Sequence, residues 1–566
     1  MSDALLDDAR ALAQAVVART GYVLPAVLLY LLYLALRYPD RVPGTVSARL
    51  RPQVYAVPNT WPILGNTINV VRLGTAQQFE RFLKLTQDAP HHVWRMTVFG
   101  PGSVMLLNRP EYIEYMQKTN FTNYDKGQQF RSRFGDLLGT TGIFVADGHV
   151  WRQQRKQASH MFSSKAFSTW IRSVVHHELD DVVGLLENLS APGGAGKLCM
   201  TELFFRYTLS SFSKMAFSAN LDCLSPDPAS LEKPVPFAMA FDGAQGIINK
   251  RFVTPAWQFI ERFSADGREM RTACRVIRDF GMGIISERIA ERQGGEKAPL
   301  VEKKSGEADA EQSRKGANKK DGADLLGLFM DLTSDPEELL VVVMNFIIAG
   351  RDTTAQSLSW FFFELLANPQ HLAVIRAELA EAFGAPEGGI RLEYEQVKML
   401  PYTLACWSEA IRLHPAVPKN GKEVVADDVI VPQGPNPDNL PSIPVFKGEK
   451  VGWSDWVMNR LPAVWGEDAA EYNPLRFLER DTEGKWTYVQ HSQWKYHVFN
   501  GGPRLCLGMN LANYEGLALI AATLPQFDFH WASKAEGQTA EWPLTYLNSV
   551  THPSVPYVLK VTRREA

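Results

Sequence analysis

Nothing in this 566-residue chain suggests a disulfide framework. Its five cysteines, Cys199, Cys223, Cys274, Cys406 and Cys506, form an odd set with no close pairing and no CxxC. That fits a reducing compartment and argues against a zinc ribbon. An excess of one charge is also missing: a formal net charge of -3 gives no electrostatic reason to expect nucleic acid as a partner. The chain has no dinucleotide-binding or flavin motif. It has no internal repeat either, which argues against a solenoid or propeller. What is present is an ordinary globular composition, 45% hydrophobic and 21% charged, able to bury a large core.

Charge is locally absent near the N-terminus. Gly21 to Leu36 (GYVLPAVLLYLLYLAL) carries none, with Arg19 before it and Arg37 after it. With the mildly apolar stretch at 11–18, the segment is long enough to cross a bilayer. A signal peptide would want a basic start, whereas this one carries Asp3, Asp7 and Asp8. Residues 1–38 are therefore expected to be a single-pass membrane anchor. Arg37, Arg41, Arg49 and Arg51 follow it, so the positive-inside rule leaves the main domain in the cytosol. Residues 39–62, spaced by Pro39, Pro43, Pro52, Pro58 and Pro62, read as a stiff hinge.

Residues 291–324 are charged and almost free of large apolar side chains, too poor in burial to offset their ordering entropy. They are expected to form a disordered surface loop inside one domain spanning 63–566. Ser334-Asp335-Pro336-Glu337 then looks like a capped helix start, and apolar character runs to Ala367 before Asn368-Pro369. Leu339 to Gly350 is free of charge, so this half should be buried on nearly every side. A short strand is expected at Val104–Leu107.

The strongest signal is Phe499-Asn500-Gly501-Gly502-Pro503-Arg504-Leu505-Cys506-Leu507-Gly508, followed by Met509-Asn510-Leu511-Ala512-Asn513-Tyr514-Glu515. Glycines and a proline make a tight loop before a helical pattern, placing Cys506 near a helix N-terminus. There the dipole and free N–H groups favour thiolate over thiol, and Arg504 adds positive charge. The order FxxGxRxCxG followed by LAxxE resembles the haem-binding loop of cytochromes P-450 at every fixed position. The resemblance implies haem b with Cys506 as axial ligand of its iron, the thiolate pushing electron density that favours O–O cleavage.

Other motifs agree in order. Ala349-Gly350-Arg351-Asp352-Thr353-Thr354 puts polar residues mid-way along an apolar helix, where Gly350 and a Thr353 hydrogen bond to a carbonyl would let the helix open. By resemblance, Thr353 and Asp352 help deliver the protons that dioxygen cleavage needs. Glu409 and Arg412 form an ExxR on one helix face. The resemblance adds Arg476, in Asn473-Pro474-Leu475-Arg476-Phe477, as third member of a structural ion-pair network, with Leu475 departing from the usual Glu. Trp151 and Arg155, a WxxxR, suit haem propionates, as does Arg504, and Phe499 belongs to the same loop.

The resemblance spans about Pro58 to Pro556. Finer matches point to the fatty-acid ω-hydroxylase branch of eukaryotes: Phe121 to Gly127, Gly142 to Gly148, Trp151 to Lys156, Phe237 to Asp242 and Val457 to Asp468. It implies a mainly α fold with a small β subdomain. It also implies a monooxygenase inserting one atom of O2 into an unactivated C–H bond, and an endoplasmic-reticulum location. Electrons would come from an NADPH-dependent reductase, met by a basic face including Arg131, Arg133, Arg152, Arg155, Lys156 and Lys495. The implied substrate pocket contains Phe121, Phe130, Phe134, Leu138, Phe346, Ala349, Ala416, Val417 and Val550, almost all apolar and suited to an alkyl chain. Lys419 is a candidate partner for a carboxylate at the mouth, set against the commoner reading of a solvated surface lysine. The alternatives are oxidation of a sterol, alkane or xenobiotic, rearrangement of a hydroperoxide, and non-catalytic haem binding at a membrane.

Overall fold

The computed structural model describes residues 23–73, 77–192, 196–294, 324–384, 389–533 and 558–564. Helices dominate, as expected. The helices referred to below are α1 (23–37), α2 (Gln128–Leu138), α3 (Gly148–Ser159), α4 (Met200–Phe217), α5 (Pro236–Arg251), α6 (Ala265–Arg292), α7 (Pro336–Ala367), α8 (Pro401–Leu413) and α9 (Met509–Thr523). The largest sheet contains β1 (Tyr55–Ala56), β2 (Val93–Val98), β3 (Gly102–Leu107), β4 (Tyr124–Asp125), β5 (Asn420–Val424) and β6 (Lys450–Trp453), in the order β1-β2-β3-β6-β5-β4. Antiparallel β2 and β3 set Met96 opposite Val104, and β6 joins β3 in parallel with Val451 opposite Met105. β3 thus contains the expected run Val104–Leu107.

α7 is the axis of the main core. Asp335 caps it, its carboxylate accepting from the Glu337 N–H at 2.9 Å, with Pro336 in the first turn. It ends at Ala367, where the Asn368 N–H bonds the Glu364 carbonyl. Between Leu339 and Gly350 only Val341 and Ala349 are less than fully buried. The helix stays continuous through Gly350 to Thr354, in contrast to the local opening expected there. Close packing explains the glycine instead: a Cβ on Gly350 would lie 2.1 Å from ring carbons of Phe212 on α4. Thr208 of α4 donates to the Arg351 carbonyl at 2.8 Å, fastening the two helices at the same level.

Two segment readings change. The stretch 39–62 docks on the globule rather than acting throughout as a hinge. Arg51 is fully buried and bonds both Glu449 carboxylate oxygens at 2.5 and 2.9 Å, and β1 pairs with β2. Proline limits helix here to one short turn, Ala48–Leu50, but backbone and side chain still find partners. The 291–324 segment begins later than expected, since α6 runs to Arg292. At its far end Asp324 caps the helix Leu325–Met330 and pairs with Arg288 at 2.9 Å; residues 295–323 lie outside the described residues. Of the expected anchor, only 23–38 are described. α1 exposes Leu24, Leu28, Leu29 and Leu36, and among the described residues no helix is long and apolar enough to cross a membrane.

Candidate active site

Cys506 lies where the loop after Phe499 meets α9. Its N–H bonds the Phe499 carbonyl at 2.8 Å, closing the loop. The turn demands its glycines: Gly502 has φ of +57°, and a Cβ there would lie 2.6 Å from the Gln117 carbonyl oxygen. Backbone N–H groups of Gly508 and Met509 bond the sulfur and lower its pKa, as the helix start predicts, but burial outweighs them and the thiol is raised overall. The cation that favours the thiolate is Arg155, not the neighbouring Arg504. Cys506 nevertheless retains accessible surface.

Arg504 turns away from the sulfur. Its guanidinium lies 4.0 Å above the Trp151 ring and bonds Asp147 and the Ala146 carbonyl, both at 2.9 Å. Desolvation lowers its pKa to about 10, and its Nε is buried without a partner. Arg155, one turn along α3 from Trp151, holds its guanidinium 5.8 Å from the same ring. Two lysines that sequence reasoning missed complete the cluster. Lys126 is pushed down to about 8 by burial and by Arg504. Lys422 is lowered further by burial, Lys126 and Arg504, and its Nζ is buried without a hydrogen bond. Asp125 and Asp147 are the carboxylates acting on this group. Cations thus outnumber carboxylates around Trp151 and leave donors unfilled, an arrangement suited to two further carboxylates such as haem propionates. The residues present fit haem: Trp151, Arg155, Arg504, Lys126 and Lys422 would hold its propionates and Cys506 would bind its iron.

The loop is locked from behind. Gln117, fully buried, donates to Asn500 Oδ1 at 2.7 Å and meets His497 Nε2 at 3.0 Å, while His497 Nδ1 is 2.7 Å from Asp455. These contacts join residues 42 to 383 positions apart in sequence, so no local signal marks them. The ExxR network forms as expected. Arg412 bonds both Glu409 oxygens at 2.5 and 2.8 Å, and Arg476 reaches Glu409 at 3.2 Å. Leu475 is half exposed beside it, so the departure from Glu falls on a side chain facing solvent.

On α7, Thr353 donates to the Ala349 carbonyl at 2.7 Å, the back-bond expected. Asp352 is fully buried and accepts from Gln245 of α5 at 2.7 Å and Arg351 at 3.0 Å. Arg351 also bonds Asp242 at 2.7 Å, joining the central motif to the Phe237–Asp242 motif.

The expected pocket residues divide. Phe130 and Phe134 meet at 4.7 Å, and Phe134 reaches Phe252 at 6.0 Å. Leu138 is buried nearby on α2, while Ala416 and Val417 are part-buried. Phe121 belongs instead with the basic cluster, 5.6 Å from Trp151 and 5.6 Å beneath Lys422. Phe346 turns into the core against Phe329 at 6.3 Å; Val550 lies outside the described residues. One member of the expected basic docking face, Arg133, is turned inward, and a second, part-buried Arg131, is tied to an acidic partner. Arg131 bonds Asp147 and the Val145 carbonyl, and Arg133 is buried beneath α5. Arg152 and Lys156 are exposed, while Arg155 and Lys495 are part-buried.

The chain matches the model of the family described as cytochrome P-450 over residues 56–561. It is 35% identical to cytochrome P-450 monooxygenase cyp1 of Mycosarcoma maydis, over 94% of this chain and 78% of that one. It is 32% identical to cytochrome P-450 86B1 of Arabidopsis thaliana, over 74% of this chain and 71% of the relative. Identity to cytochrome P-450 94A1 of Vicia sativa is 28%, over 84% and 85%. With Cys506 held in a closed loop at the start of α9, a cation-rich cluster around Trp151 and this match along the globule, the chain belongs to the cytochrome P-450 family of haem-thiolate monooxygenases.

Proposed function

We propose that this P-450 hydroxylates fatty acids at the terminal carbon, held on the endoplasmic-reticulum membrane by residues 1–38 with its catalytic domain in the cytosol. Haem b, bound through the Cys506 thiolate, would supply oxygen activation using O2 and electrons from an NADPH-dependent reductase. Trp151, Arg155, Arg504, Lys126 and Lys422 would hold its propionates, and Phe499 would shape the loop beneath the ring. Glu409, Arg412 and Arg476 keep the surrounding chain in place. Thr353 and Asp352 would hold and pass protons. Asp352 is held in one orientation by Arg351 and Gln245.

The observation that carries the substrate reading is the row of phenylalanine rings, Phe130, Phe134 and Phe252, between α2 and the end of α5. Each buried methylene contributes about 0.8 kcal/mol, so affinity should climb with chain length until the pocket is filled. The resemblance of Phe121 to Gly127 and Phe237 to Asp242 to the fatty-acid branch points the same way. Membrane attachment is supported by the exposed leucine face of α1 and by Arg37 and Arg41 at its end. Fatty acids of graded length, supplied with reductase and NADPH, should give terminal alcohols by mass spectrometry. Turnover of a sterol or aromatic compound, with no terminal product at any length, would refute the reading.

A further inference from the structure

The sequence leaves Lys419 as either a surface lysine or a carboxylate partner, and its surroundings separate the two. It follows Pro418 just before β5, and its Nζ donates to Gln78 Oε1 at 3.2 Å and lies 5.4 Å from the Phe252 ring centre. Part of its surface is accessible, yet desolvation, with Arg133 beside it, pushes its pKa down to about 7. Held between Gln78 and Phe252 and only partly accessible, it is not a freely solvated surface lysine.

Arg133, on α2, lies 5.0 Å from the same ring. Its Nε donates to the Arg251 carbonyl at 3.3 Å and its Nη1 to the Gln129 carbonyl at 3.1 Å. Asp136 and Glu261 both pair with Arg251, each at 2.7 Å. Among the described residues neither Lys419 nor Arg133 pairs with a carboxylate. Two inward cations sharing one aromatic ring, with no counter-charge, are costly unless something anionic arrives.

We propose that Lys419, reinforced by Arg133 and the Gln78 amide, binds the carboxylate head of the substrate. The alkyl chain then leaves that site over Phe252 and along Phe134 and Phe130. This rests on the alkyl-chain reading of the pocket and adds the reason an acid is chosen over its neutral analogues. A carboxylate there accepts from Nζ and supplies the missing negative charge, whereas an alcohol of equal length leaves the ammonium uncompensated.

The test uses haem-loaded, full-length protein and three amphiphiles of one chain length: dodecanoic acid, dodecanol and dodecyltrimethylammonium. Dissociation constants come from the Soret shift and, independently of that shift, from calorimetry. The acid should bind at least about tenfold more tightly than the alcohol, with the ammonium weakest. Lys419→Met, checked for an intact ferrous carbonyl band, should collapse the acid-over-alcohol ratio toward one. Lys419→Arg should retain most of it. Equal wild-type affinities for acid and alcohol, or an unchanged ratio in Lys419→Met, would overturn the proposal. The two readings fail separately: terminal hydroxylation with a Lys419-independent ratio sinks this one alone. A Lys419-dependent ratio without terminal product leaves it standing and sinks the regiochemistry.

Discussion

Gly350→Ala sets two physical effects of opposite sign against each other. Alanine is the better helix former, and in a helix interior the exchange alone would stabilise by about 1 kcal/mol. Here the new Cβ would sit 2.1 Å from two ring carbons of Phe212 and 2.6 Å from a third. Phe212 has little room to retreat, being 3% exposed with Phe217 at 6.0 Å. Overpacking of this kind costs about 1–3 kcal/mol, so the clash should win and Gly350→Ala should unfold at lower urea than the wild type. Phe212→Ala removes all three clashing atoms and, by itself, costs about 3–5 kcal/mol as a cavity. In the double variant the methyl group introduced on α7 enters that cavity, so the combined loss should be smaller than the sum by about 1–3 kcal/mol. The assay is the midpoint of urea unfolding, followed by far-ultraviolet circular dichroism, for all four proteins. Additive losses, or a Gly350→Ala midpoint above wild type, would refute the argument that close approach of α4 fixes this glycine.

Cys506→Ala should lose the red-shifted Soret band of the ferrous carbonyl complex; a variant retaining it sinks the ligand assignment. Thr353→Ala should still load haem, yet release more peroxide per NADPH oxidised, and unchanged coupling to product would count against its role in proton delivery. Glu515 on α9 is fully buried, and burial, with Glu178 nearby, pushes its pKa from 4.5 up to about 8 against a 2.7 Å bond from Ser211. Because the folded pKa lies above the unfolded one, the folded state keeps a proton that the unfolded chain gives up above pH 4.5. Stability from this group therefore falls as pH rises from 4.5 to about 8 and then levels off. Glu515→Gln should remove that slope, so its advantage over wild type grows across the same window in thermal unfolding; a pH-independent difference would contradict it.

Local chemistry in the sequence settled the parts that short-range geometry controls. Asp335-Pro336 and Asn368-Pro369 bound α7 because caps and proline act within one turn. The i,i+3 spacing put Glu409 and Arg412 on one face, and the glycine-rich loop set Cys506 at the start of a helix. Tertiary packing decided which way side chains turn once several elements compete for them. Arg504 adjoins Cys506 in sequence, yet bonds Asp147, whereas Arg155 supplies the charge felt by the sulfur. Phe346 has the apolar character of a pocket wall but packs against Phe329 in the core. Lys419 carries no sequence mark separating it from a surface lysine. Its inward setting exists only because α2, the end of α5 and the chain before β5 converge on Phe252. Composition and spacing fix what a residue can do within a few positions. Which neighbour it meets across the fold, and whether water reaches it, depends on contacts between segments hundreds of residues apart.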